Sequence, residues 1–154
     1  MAFQIESPAF KQEATIPAKY TCDGKNFSPP LLWNDPPAGT KSFAIISEDP
    51  DAPRGTWVHW VIYNIPALAS ALQEGMTTKE RFPSGAIQGV TDFGRVGYGG
   101  PCPPPGKPHR YFFKLYALDT VIRPPLKTNK AVLLQAMNGH ILAQTELVGL
   151  YQRS

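Results

Sequence analysis

The sequence predicts a mostly β protein, with two antiparallel sheets in a Greek-key sandwich and one short helix near the C-terminus. Three segments have strong strand character, turn signals separate them, and a single segment has helical periodicity. The 17 prolines are about twice the usual share for a chain of 154 residues. Because proline removes a backbone donor, this density disfavours a helical bundle. A parallel α/β fold is also disfavoured, since the proline-rich connections cannot supply helices between its strands.

The three strong strands are predicted at 41–49, 57–65 and 110–118. The first is apolar at every position from 43 to 46, which indicates that both of its faces are covered. In the second, strand alternation predicts Trp57, His59 and Val61 on one face.

The remaining elements have weaker signals. The segment 28–33 is predicted to be extended because residues before proline avoid the helical region. The other predictions are short strands at 3–6 and 14–17, a short helical turn at 67–72, a moderate strand at 85–93 and a closing strand at 141–151. The helix is predicted after Thr128 or Asn129 as N-cap, with Gly139 in the left-handed position just past its end.

Length and charge narrow the function classes. A chain of 154 residues predicts a single domain over 1–154. The net charge is +3, but the basic residues are scattered and form no stripe, which disfavours a nucleic-acid-binding protein. No apolar run approaches the ~20 residues that span a bilayer. The first 14 residues lack the apolar region of a signal peptide, so a cytoplasmic location is expected.

Cys22 and Cys102 lie far apart in the chain and do not form a C-x-x-C pair. Isolated thiols in a cytosolic protein are usually free, and free thiols are the expectation here. The alternative is a disulfide that joins the two turn-rich segments.

Polar side chains near the ends of the three strong strands predict a pocket. Asp49 and Asp51 follow the first strand, His59 lies in the second, and His109 begins the third after a stiff loop of glycines and prolines. Each residue also has a structural interpretation: an aspartate can cap its own turn, and a strand histidine can be a satisfied core residue.

An enzyme is the alternative function. Asp49, Asp51, His59 and His109 have the chemistry of metal ligands in a hydrolase of small phosphoesters, although no tight ligand spacing supports such a site. The candidate nucleophiles lie outside any nucleophile-elbow pattern and are Ser47, Thr56 and Ser84. A third possibility is an interaction protein with a vestigial pocket.

Two separated motifs resemble a known family. They are DPDAP at 49–53 with His59-Trp60 after it, and Gly100-Pro101 followed by 106–111 with its His-Arg-Tyr. Further similar segments are 20–24, 28–31, 139–143 and 146–149. The sequence resembles the phosphatidylethanolamine-binding protein family, also known through Raf kinase inhibitor protein, and most resembles its small bacterial and archaeal branch. The resemblance covers essentially the whole chain.

The resemblance implies a two-sheet β fold with a small anion-binding pocket, for which phosphate or a phospholipid headgroup is the expected ligand. No metal or cofactor is predicted. Carried over by position, the pocket residues are Asp49, His59, Gly100, Pro101, His109 and Tyr111, with Asp51 and Trp57 at or near the wall. The family also suggests a kinase or a serine protease as partner and a homodimer. The segment 102–108 departs from the pattern, since it is richer in proline than the eukaryotic branch.

Overall fold

The computed structural model describes residues 2–154 and contains two antiparallel sheets and one α-helix. The small sheet has the order β1-β2-β5, and the large sheet has the order β6-β4-β3-β7-β8. The strands are β1 (Gln4–Glu6), β2 (Leu31–Asn34), β3 (Ser42–Asp49), β4 (Trp57–Pro66), β5 (Ala71–Leu72), β6 (Ile87–Gln88), β7 (His109–Leu118) and β8 (Ile141–Tyr151). The helix α1 spans Lys130–Met137. The predicted fold class is therefore confirmed.

The central strand β3 is buried along its whole length. Its inner face packs between the two sheets and its outer face packs under α1, so the prediction that both faces are covered is confirmed. The inner core includes Phe43, Ile45, Trp60, Ile62 and Phe113 with Leu31 and Trp33 of the small sheet. The outer core includes Ala44, Ile46, Val61 and Tyr63 with Leu133 and Met137 of the helix.

The weaker sequence signals were less accurate than the strong ones. The short helical turn predicted at 67–72 is wrong, because Ala71–Leu72 pairs with β2 as a strand. The predicted strand at 85–93 shortens to Ile87–Gln88, and the segment 14–17 contributes a single bridge from Thr15 to Leu150. These segments are short and their intrinsic strand or helix preference is weak, so pairing with distant strands decides their conformation.

The termini of the helix follow the prediction. Asn129 is the N-cap, and its side chain accepts a hydrogen bond from the Val132 N–H at 2.9 Å. Gly139 has a φ of 83°, which a residue with a Cβ adopts at a cost. No helix among residues 2–154 is long and apolar enough to cross a bilayer.

A β-bulge in β4 changes the direction of His59. Ser47 pairs with Trp60 and Glu48 pairs with Val58, which leaves His59 as the extra residue. His59 therefore lies against Tyr111, whose ring belongs to the inner core, while Val61 packs in the outer core. The predicted alternation that placed His59 and Val61 on one face is wrong, because a bulge shifts the two-residue period by one position.

Cys22 and Cys102 form a disulfide, with a Cα–Cα distance of 5.4 Å. The expectation of free thiols is wrong. The turn that carries Cys22 packs against the segment before Cys102: the Cys22 N–H donates to the Pro101 carbonyl at 3.1 Å, and the Gly100 N–H donates to Asn26 Oδ1 at 2.8 Å. These contacts bring together two thiols that are distant in the sequence.

Adjacent residues of β7 test the two-layer core. Phe113 is fully buried between the sheets, whereas Phe112 is half-buried on the opposite face beside Arg110 and Lys114. Phe113→Ala is expected to lower the free energy of unfolding by ~3–5 kcal/mol because it leaves a cavity in the core. Phe112→Ala, the matched control, is expected to cost less than about 1.5 kcal/mol. Urea unfolding of both variants measures the difference, and equal losses would contradict this packing.

Candidate functional site

The candidate site is a cavity of about 220 Å³ at one end of the large sheet. β3 ends at Asp49, β4 begins at Trp57 and β7 begins at His109, and antiparallel pairing brings these three termini to the same end of the sheet. The cavity is lined by Asp49, Ala52, Pro53, Trp57, His59, Phe93, Cys102, Pro103, Pro104, His109 and Tyr111. Its wall is mostly apolar, with a few polar groups that converge on it.

Asp49 and His109 form a buried pair. The His109 Nδ1 lies 2.6 Å from Asp49 Oδ2, and the two side chains are 11% and 4% exposed, respectively. A carboxylate accepts, so Nδ1–H donates and Nε2 is left for another partner. The other carboxylate oxygen, Asp49 Oδ1, accepts from the Asp51 N–H at 2.7 Å. Asp49 is therefore positioned by its own turn, and it orients the His109 ring.

His59 is held in the same way, but by the backbone. Its Nδ1 lies 2.6 Å from the Gly99 carbonyl, and the Gly99 N–H donates back to the His59 carbonyl at 3.0 Å. A carbonyl only accepts, so Nδ1 carries the proton. Burial lowers the pKa of His59, against the opposing effects of the Gly99 carbonyl and the Asp49 charge. His59 is thus a neutral imidazole whose Nε2 has a free lone pair.

Tyr111 lies between the two histidine rings. Its ring centroid is 5.2 Å from that of His59, edge to face, and 6.4 Å from that of His109, stacked. Burial, then the negative charge of Asp49 and a hydrogen bond with its carboxylate, raise the pKa of Tyr111. Its hydroxyl therefore stays protonated.

The structure places the predicted site residues in two groups. Asp49, Trp57, His59, His109 and Tyr111 line the cavity. The other predicted residues, Asp51, Gly100 and Pro101, do not line it.

Asp51 and Gly100 make hydrogen bonds outside the cavity, Asp51 with Arg110 and Gly100 with a neighbouring loop. The Asp51 carboxylate accepts from Arg110 Nε and from Arg110 Nη2, both at 2.9 Å. These hydrogen bonds hold the pKa of Asp51 below its usual range. The Gly100 N–H donates to Asn26, and a Cβ on Gly100 would lie 2.3 Å from the Tyr20 carbonyl oxygen. The Gly100-Pro101 element therefore supports the wall from behind.

Six lining residues were not predicted as site residues, and two of them, Ala52 and Pro53, belong to the DPDAP motif. Cys102, Pro103 and Pro104 belong to the proline-rich loop, whose unusual composition was a signal that a shaped wall follows Pro101. Phe93 lies in the connection after β6 and packs on His59, with ring centroids 5.3 Å apart. No local pattern marks Phe93, because its contact with β4 is long-range.

The polar groups that face the cavity include two imidazole Nε2 atoms and one phenol hydroxyl. Across residues 2–154, no three His, Cys, Asp or Glu side chains come together in a group that could hold a metal ion. The two aspartates of the DPDAP motif have their carboxylate oxygens engaged inside the protein. The arrangement is therefore suited to hydrogen bonding with a small polar ligand group in an otherwise apolar cavity.

Together, the fold and the cavity define a two-sheet β protein with a small histidine-lined pocket. The family model described as phosphatidylethanolamine-binding protein matches residues 6–152, and the chain belongs to this family. A UPF0098 protein of Methanothermobacter thermautotrophicus is 50% identical over 149 residues, with 97% of this chain and 98% of that protein covered. A UPF0098 protein of Aquifex aeolicus is 52% identical over 153 residues, with 97% of this chain and 88% of that protein covered.

Two solved structures have the same fold. The crystal structure of a phosphatidylethanolamine-binding protein homologue from Chlamydia trachomatis superimposes with a TM-score of 0.90 at 42% identity, with 99% of each chain covered. That of Escherichia coli YbcL, described as a member of the mammalian PEBP family, has a TM-score of 0.90 at 37% identity, with 100% of each chain covered. The family resemblance inferred from the sequence motifs is therefore confirmed.

The buried state of His59 predicts a pH dependence of stability. Its pKa in the folded protein lies below the ordinary value of 6.5, so the unfolded chain binds a proton that the folded chain does not. Stability is therefore expected to fall as the pH drops through about 6.5 towards the folded pKa. His59→Asn keeps an amide donor for the Gly99 carbonyl but cannot titrate, so its unfolding free energy should change less between about pH 7.5 and 5. Chemical denaturation across this range measures both proteins. Parallel curves would mean that His59 is not the responsible group.

Proposed function

We propose that this chain is a non-enzymatic binding protein whose cavity takes a small phosphorylated group, either free phosphate or the phosphomonoester of a headgroup. The observation that carries the proposal is the matched orientation of His59 and His109. Each ring donates its Nδ1–H to a partner inside the protein, and each therefore keeps Nε2 for a ligand. Tyr111, between them, adds a protonated hydroxyl to the polar groups of the site.

The two histidines offer hydrogen-bonding atoms that complement a phosphomonoester. A neutral His59 accepts a hydrogen bond from a P–OH group through Nε2, and His109, held by its hydrogen bond to Asp49, presents its own Nε2 to the same ligand. Both carboxylate oxygens of Asp49 accept hydrogen bonds inside the protein, which limits the repulsion between Asp49 and the anion. A hydrolase is less well supported, because neither Asp49 nor Asp51 offers an unengaged carboxylate oxygen as a metal ligand.

The size of the cavity limits the ligand. A volume of about 220 Å³ is below the ~300–1,000 Å³ of sites for drug-sized ligands, so the site accommodates a headgroup rather than acyl chains. Modulation of a kinase, inhibition of a serine protease, homodimerisation and a cytoplasmic location stay predictions.

The direct test is a titration with inorganic phosphate and with O-phosphorylethanolamine, followed through the histidine ring resonances by NMR. Saturable shifts of His59 and His109 are expected, while the exposed His140, outside the cavity, serves as the internal reference. No shift up to tens of millimolar ligand would refute the proposed anion site. Tighter binding of O-phosphorylethanolamine than of phosphate would identify the headgroup as the ligand class.

Variants of His109 separate binding from stability. His109→Asn retains an amide that can donate to Asp49 but lacks Nε2, so phosphate binding should weaken roughly tenfold or more with little change in melting temperature. His109→Ala removes both functions and leaves a buried Asp49 without its partner, which should cost about 1–3 kcal/mol of stability. Calorimetry and the NMR titration measure the two effects. Wild-type affinity in His109→Asn would exclude His109 as a ligand-binding residue.

A further inference from the structure

The disulfide forms part of the wall of the cavity. Cys102 lines the cavity together with Pro103 and Pro104, and its sulfur is bonded to Cys22 in the turn behind the wall. The site and the cross-link are therefore in direct contact.

The disulfide ties down a stretch of wall that makes few backbone hydrogen bonds. Before it, Gly100 and Pro101 are hydrogen-bonded to the turn at 22–26. After it, the Gly106 N–H donates to the Arg153 carbonyl at 3.1 Å. Between these anchors, the three prolines at 103–105 have no backbone N–H to donate. The bond at Cys102 is therefore a covalent anchor for a stretch that backbone hydrogen bonds do not hold.

The surroundings of the disulfide favour thiol–disulfide exchange. Both cysteines are solvent-exposed, so an external thiol can reach the bond. The Arg153 guanidinium nitrogen Nη1 lies 3.7 Å from Cys102 Sγ, and Arg153 also pairs with Asp23 at 3.3 Å. A neighbouring guanidinium stabilises a thiolate, which makes Cys102 the better leaving group of the two sulfurs.

We propose that Cys22–Cys102 is an exchange site for a dithiol reductant and that its redox state sets the affinity of the cavity for anions. A reductant thiolate attacks Cys22 Sγ, the S–S bond breaks, and its electron pair leaves on Cys102 Sγ beside Arg153. The second thiol of the reductant then attacks the mixed disulfide and releases Cys22. The dithiol loses two electrons and becomes a disulfide, and Cys22 and Cys102 end as thiols.

Reduction is expected to weaken anion binding. Once the bond is broken, the ligand must order the stretch at 102–105 when it binds, and ordering a few residues costs roughly a tenfold loss of affinity. The affinity part of this inference rests on the proposed function, whereas the exchange reaction and its effect on the shape of the cavity do not.

The experiment compares the oxidised protein, the protein reduced by dithiothreitol and the double variant Cys22→Ser/Cys102→Ser. Thiol titration under native conditions measures reduction, and NMR measures the His59 and His109 rings with and without inorganic phosphate. We expect the native protein to be reduced without denaturant and both rings to shift on reduction, with His140 unchanged. Phosphate should bind roughly tenfold more weakly to the reduced protein and to the double variant. Dithiothreitol should not affect the double variant.

The outcomes separate the two proposals. Equal phosphate affinity of the oxidised and reduced proteins would overturn redox control, and so would a disulfide that resists reduction until the protein unfolds. If no form binds phosphate, the proposed function fails. The histidine ring resonances then test control of the cavity by the disulfide. If the His59 and His109 resonances do not change on reduction, the disulfide does not control the cavity; if they shift, it does.

Arg153 provides an independent test of the exchange chemistry. Arg153→Gln should slow the release of thiols by dithiothreitol severalfold, because the leaving thiolate loses its cationic neighbour, whereas Arg153→Lys should stay close to the wild-type rate. An unchanged rate in Arg153→Gln would remove Arg153 from the mechanism.

Discussion

The position of β3 between β4 and β7 is the constraint on which the rest of the structure depends. β3 is buried on both faces, so both of its edges must be paired with backbone, and the pairings with β4 and β7 satisfy them. Because both pairings are antiparallel, the end of β3 meets the start of β4 and the start of β7. The burial of one apolar strand thus determines where Asp49, Trp57 and His109 meet.

The β-bulge in β4 places His59 in the site. A regular β4 would direct His59 to the same face as Val61, under the helix and away from Tyr111. The extra residue in the register turns the imidazole to the inner face, and the mutual hydrogen bonds between His59 and Gly99 hold it there. The segment at 98–102 therefore has two structural roles, since it supports the bulge on one side and joins the turn at 20–26 on the other.

The electrostatics of the cavity follow from where each partner lies. Asp49 and His109 are both nearly excluded from solvent, and the hydrogen bond between them satisfies a buried polar atom of each side chain. His59 has a backbone carbonyl as its partner, and burial keeps its imidazole neutral. Asp51, only two residues from Asp49, is instead engaged by Arg110 outside the cavity. Two aspartates of one motif thus have different roles because one side chain faces the cavity and the other faces solvent.

The sequence by itself determined the fold class, the strong strands, the single helix with its cap and the family, because these depend on periodicity, turn chemistry and the residue types of two motifs. It also indicated five of the residues that line the cavity: Asp49, Trp57, His59, His109 and Tyr111. Tertiary structure alone decided the direction of His59, the place of Phe93, the engagement of Gly100 by Asn26 and the bond between Cys22 and Cys102. Each of these is set by a contact between segments far apart in the chain, and local sequence patterns carry no information about which distant segment will be the partner.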